Sequence, residues 1–96
     1  MTTLEIRSID NGDPRRFEVR VIEGNDATRH EVSLSRAQFD ALAAGSATPE
    51  ECVEAAFRFL LDREPKEAIL KRFDVAVIAS YFPEFPREFP RYLPAR

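Results

Sequence analysis

Two side chains in this sequence have the chemistry of a nucleophile and its base: Cys52, the only cysteine, and His30, the only histidine. A thiol in the first turns of a helix has its pKa lowered, and an adjacent imidazole would complete an activated nucleophile. The neighbouring letters oppose this. Cys52 shares its helix face with Ala56 and Phe59, and Glu51 beside it disfavours a negative sulfur, so a buried, inert thiol is expected. His30 alternates with Val32 and Leu34 and is expected to pack at the margin of a sheet's apolar face. One cysteine and one histidine leave no internal disulfide and no cysteine-rich zinc site. The acidic pairs Glu50–Glu51 and Glu64–Glu67 fall at helix starts, where negative charge is favoured without any catalytic role. Gly12, Gly24 and Gly45 lie too far apart for a phosphate-binding loop. Catalytic, cofactor-binding and metal-binding residues are therefore all expected to be none, and no small-molecule substrate is evident.

The net charge of −3 and pI near 5.2 argue against nonspecific binding to nucleic acid, which Lys and Arg drive by neutralising phosphates. No apolar run is long enough to span a bilayer, and Met1 to Ile9 lacks the basic start and apolar stretch of a signal peptide. A cytoplasmic protein is the expectation. With 96 residues, 44% of them hydrophobic, the chain can own one core but not divide into two.

The element that must organise this core is Thr48–Glu64, TPEECVEAAFRFLLDRE. Thr48 suits an N-cap, Pro49 the first helical position, and Glu51 completes a capping box; Pro65 forces a stop. At about 100° per residue, Glu54, Arg58 and Asp62 occupy an arc of about 80°, and apolar side chains take most of the rest. A surface helix needs an apolar stripe of only about 100° or slightly more. This helix must therefore be covered on more than one side, by its own chain or by a second copy.

Before it, Leu4–Ile9, Phe17–Glu23 and Thr28–Leu34 read as about three antiparallel strands, with DNGDP at Asp10–Pro14 and Gly24-Asn25-Asp26 as turns. Asn11-Gly12 is expected to take positive φ. Ser35 with Gln38 makes a second capping box, opening a short helix over Phe39, Leu42 and Ala43 that Gly45 ends in a left-handed conformation. After Pro65, the spacing of Ile69, Leu70 and Phe73 predicts another helix, and Asp74 can cap two further turns carrying Val75, Ile78, Ala79 and Phe82, although VAVI could also pair as a strand. These read as core helices rather than a helix-turn-helix, since Val75-Ala76-Val77 offers nothing to base edges.

The fold class expected is thus α+β: a β-meander followed by three to four α-helices, one domain over residues 1–82, and a proline-rich tail over 83–96 packed on it. Phe82-Pro83, Phe85-Pro86, Phe89-Pro90 and Leu93-Pro94 favour extended or polyproline-like backbone. Phe85, Phe89, Tyr92 and Leu93 must lie against the domain or bind a partner, and they are the candidate partner-binding residues.

The strand TRHEVSL, the helix SRAQFDALAAG and the helix TPEECVEAAFRFLLDR, over Thr28–Arg63, together resemble the ribbon-helix-helix pattern of small bacterial dimeric DNA-binding proteins. The resemblance implies DNA contact through the outward side chains of the strand, here Arg29, Glu31 and Ser33. The function expected first is a noncatalytic protein-interaction module, binding an unidentified protein or a second copy of itself. A dimeric ribbon-helix-helix-type regulator is the alternative.

Overall fold

The first third of the chain alternates apolar and polar residues, and a strand with period two buries one face. In a computed structural model, which describes residues 1–43 and 45–94, it forms the meander β1 (Thr2–Asp10), β2 (Arg15–Glu23) and β3 (Asp26–Leu34). Phe17, Val19 and Val21 on β2 and His30, Val32 and Leu34 on β3 all point to the buried face. Gly24 takes φ +59° at the first central position of the β2–β3 hairpin, the backbone a two-residue turn of this kind demands.

The first loop differs from expectation at Asn11-Gly12, because neither residue has positive φ. Four residues separate β1 from β2, so no primed two-residue turn is needed. Side chains organise the loop instead: Asp10 Oδ1 accepts from the Gly12 N–H (2.8 Å) and Asn11 Oδ1 from Ser8 (2.6 Å), while Asp13 Oδ1 accepts from the Arg36 N–H (2.9 Å).

Helix α1 (Arg36–Ala43) starts with the Gln38 N–H donating to Ser35 Oγ, and Gly45 follows it at φ +73°. Helix α2 (Pro49–Leu61) opens with the reciprocal capping box: Thr48 Oγ1 accepts from the Glu51 N–H (3.1 Å), and Glu51 Oε1 from the Thr48 N–H (2.9 Å). It ends three residues before Glu64, with Asp62 as C-cap. Cys52, Val53, Ala55, Ala56, Phe57, Phe59 and Leu60 are all buried, because the sheet, α1 and the C-terminal segment each pack against this helix. Its broad apolar arc is covered by its own chain.

The helix predicted across Ile69, Leu70 and Phe73 does not form. Lys66–Ala68 makes one 3-10 turn, and Arg72–Asp74 becomes β4, pairing parallel with β3 to complete the order β1-β2-β3-β4. The open edge of β3 competes for the backbone: the Glu31 N–H donates to Lys71 O (2.8 Å) and His30 Nδ1 bonds Leu70 O (2.8 Å). Carbonyls held by the sheet side are not free to build a helical ladder. Asp74 then caps a 3-10 turn over Val75–Val77, accepting from the Ala76 N–H (2.9 Å), and runs into the short helix α3 (Ile78–Tyr81). The stretch VAVI is helical.

The C-terminal segment is not polyproline-like. Its described residues form α4 (Phe85–Glu88) and a 3-10 turn over Phe89–Tyr92, while residues 95–96 lie outside those described. Pro86 and Pro90 occupy first-turn positions, where the missing N–H has no helical partner to lose. The Cα radius of gyration, 12.4 Å, matches the roughly 12.5 Å of a single compact chain of this length.

Candidate functional site

The strand-and-turn path taken after α2 leaves a groove of about 270 Å³ between the end of that helix and α3. Leu60 and Ile69 lie at its buried side, and Leu70 and Tyr81, 46% and 66% exposed, stand at its rim. Leu70 and Tyr81 together give the groove a small apolar rim. Glu64 also lines it. Among the described residues Glu64 has no side-chain hydrogen bond or ion pair, and partial burial raises its pKa above the ordinary glutamate value.

Two anchors fix the groove wall. Lys66 is buried, and its Nζ meets three carboxylates: Glu67 (2.8 Å), Glu23 (2.9 Å) and Asp26 (3.0 Å). Its hydrogen bonds to them raise its pKa and lower those of Glu23 and Asp26, so it is a clasp between the loop and the β2–β3 hairpin rather than a neutral, reactive amine. His30 is the second anchor. Leu70 O can only accept, so Nδ1 carries the proton, and in the neutral ring Nε2 accepts from Thr28 Oγ1 (2.8 Å). Burial, first among the causes, lowers the His30 pKa and favours this neutral form.

Cys52 and His30 share no hydrogen bond among the described residues. Cys52 is wholly buried, and burial pushes its thiol up to about 11. Both nitrogens of His30 are occupied by Thr28 and Leu70, and its ring packs on Phe57 with centroids 5.5 Å apart. Glu51 is in its capping box and Glu67 in the clasp. Among the described residues no three His, Cys, Asp or Glu side chains gather as metal ligands.

Of the residues proposed to bind a partner, Phe85 and Phe89 are core residues with no surface to offer. Phe59 is met edge-on by Phe82, Phe85 and Tyr92, at 5.9, 4.9 and 5.8 Å, and Phe85 packs on Phe89 at 5.2 Å. Tyr92 and Leu93 are half-buried against this cluster. Arg63 lies over the Phe59 ring and binds both Glu84 (3.0 Å) and Tyr92 Oη (3.3 Å), while Tyr92 donates to Asp62 (2.6 Å).

Arg29, Glu31 and Ser33 do share the outer face of β3, but that strand is paired on both sides, by β2 and, over Glu31–Ser33, by β4. Their charges are also engaged. Glu31 pairs with Arg16 and Arg72, Arg29 reaches Glu18 at 4.0 Å, and Ser33 donates to Asp74 (2.6 Å). The outer face carries both signs of charge, joined by diagonal ion pairs such as Arg16–Glu31 and Arg29–Glu18, and is not a basic patch.

Sequence reasoning missed the groove because it placed Leu70 and Phe73 on a helix. The signal present was Pro65 followed by a short β-prone stretch near a sheet with an open edge. Compared with known proteins, the chain matches no family model, no curated protein and no solved structure. Among the described residues no helix is long and apolar enough to cross a membrane.

Proposed function

We propose that this protein is a small noncatalytic interaction module of the cytoplasm, and that the groove beside α3 holds an apolar segment of a partner protein carrying a Lys or Arg next to its apolar anchor. One observation carries the reading: beside the apolar rim of Leu70 and Tyr81 the groove is lined by a partly buried carboxylate, Glu64, that has no cation partner among the described residues. Desolvating an unpaired carboxylate disfavours its charged form, so its place in a cleft marks a candidate functional site. A cation brought by a ligand would relieve that penalty, while the apolar rim would supply the area.

The inert thiol and the fully bonded imidazole support the noncatalytic part. The DNA-binding alternative finds less support, since the strand it would use lies inside a charge-balanced sheet. Selection of a random displayed peptide library on the full chain tests the groove. Peptides with an aliphatic or aromatic anchor flanked by Lys or Arg should be enriched, and should lose binding to Glu64→Lys and to Tyr81→Ser. Peptides that bind Glu64→Lys as well as wild type, or no enrichment at all, would refute it.

A further inference from the structure

A second surface, remote from the groove reading, lies at the edge of the sheet. At one edge β4 is three residues long, but at the other β1 presents nine residues without a proline, and its register with β2 is irregular only between Ser8 and Asp10. A long edge is a template for another strand, and proteins ordinarily blunt it by shortness, proline, bulges or charge. β1 is irregular near one end, between Ser8 and Asp10, and at the other end Arg58 donates to Thr2 O (3.1 Å), which leaves Thr3–Arg7 as its regular centre. Its inward side chains Leu4 and Ile6 are apolar and half-buried on the core, while Thr3, Glu5, Arg7 and Ile9 are exposed on the other face.

We infer that two copies of this chain associate through antiparallel pairing of β1 with β1, joining their sheets into one of eight strands. The sequence of β1 is self-complementary in one register. A two-fold axis through Ile6 sets Glu5 against Arg7 of the second copy and Arg7 against its Glu5, and centres the pairing on the regular part of the strand, before the irregularity between Ser8 and Asp10. Shifting the axis to Glu5 or to Arg7 brings like charges face to face, which is unfavourable across strands. Shifting it to Ser8 sets Ile6 against Asp10 and leaves Thr2–Glu5 unpaired; shifting it to Leu4 leaves Ser8–Asp10 unpaired. The chosen register also extends the charges already in place. Glu5 is bonded to Arg20 (2.5 Å) and Arg7 to Glu18 (3.0 Å) within the chain, so the junction continues as Arg20, Glu5, then Arg7 and Glu18 of the second copy.

The experiment is sedimentation equilibrium of the full chain over a wide concentration range, with Glu5→Arg, Arg7→Glu and an equimolar mixture of the two. Wild type should be a dimer that weakens with salt. Either variant alone sets like charges together at both symmetric positions and should dimerise roughly tenfold more weakly. In the mixture every cross-strand pair is again opposite in sign, so a one-to-one heterodimer should form with near-wild-type affinity. Any change within each chain is the same alone and mixed, and the rescue therefore reports the junction itself. A monomeric wild type, a variant that dimerises like wild type, or a mixture no tighter than its components would overturn the inference.

Discussion

Removing the C-terminal segment after Pro83 should unfold the protein. The cut deletes Phe85 and Phe89, 1% and 0% exposed, together with the half-buried Tyr92 and Leu93, and it strips Phe59 of two of its three edge-on partners. Truncating one buried phenylalanine to alanine costs about 3–5 kcal/mol in lost transfer energy and residual cavity. Two such losses would sum to about 6–10 kcal/mol if independent, and to less for rings in contact as Phe85 and Phe89 are, before the loss of Tyr92 and Leu93 is counted. A domain of this length has only about 5–14 kcal/mol in total. The truncated chain should therefore show no cooperative urea transition and should bind a hydrophobic dye. The single change Phe89→Ala keeps the latch of Arg63, Glu84 and Tyr92 and should lower the melting temperature by at least about 12 °C, from about 3 kcal/mol at about 4 °C each. The sequence allowed another outcome, in which the segment is an extended ligand whose removal leaves the transition untouched. A Phe89→Ala protein melting within a few degrees of wild type would refute the packing argument and revive that outcome.

Phe57 packs between His30 and Phe73, at 5.5 and 5.8 Å, and Phe57→Ala should cost about 3–5 kcal/mol in urea titrations. Cys52, with its thiol held near 11, should react with a thiol reagent at neutral pH only as fast as the protein opens, far more slowly than the unfolded chain. His30 has a folded pKa below the unfolded value of about 6.5, so the unfolded state binds more protons and stability should fall as pH drops through that range; His30→Gln should flatten the pH 7 to 5 part of the curve. Glu64 has the opposite sign: its raised folded pKa gives stability that is present in acid and lost as pH rises through it, so Glu64→Gln should raise the urea midpoint at pH 7.

How far such behaviour is legible from the letters depends on how local its cause is. The α2 capping box was readable because Thr48 and Glu51 satisfy each other within one turn, whatever the rest of the chain does. The meander was readable because Phe17, Val19 and Val21 must share a face once the backbone is extended. The helix expected over Ile69–Phe73 failed for a nonlocal reason: apolar spacing at that point fits a helix and a buried turn equally, and the decision was made by His30 and Glu31 some forty residues earlier, which hold Leu70 O and Lys71 O. In the tail, the prolines excluded a long helix but not two single turns that each accept a proline at the start.

The run Glu64-Pro65-Lys66-Glu67 states the limit most sharply. Read as letters it is a solvated charge cluster at the end of a helix, and its three ionisable side chains look alike in kind. Folding gives them opposite fates. Lys66 is buried because the β2–β3 hairpin delivers Glu23 and Asp26 to it from forty or more residues away, and Glu67 joins them. Glu64, two residues earlier, is partly buried on the groove side and receives no cation from the described residues. A buried charge that is fully paired explains itself as structure, whereas one that is desolvated and unpaired weakens the fold that carries it. Neither local pattern nor composition distinguishes the two, because the partners come from the topology. The asymmetry between them nonetheless directs attention to the groove rather than to the clasp. Lys66 has counterions inside the chain, whereas Glu64, without a hydrogen bond or ion pair among the described residues, lines the apolar opening where a ligand's cation could reach it.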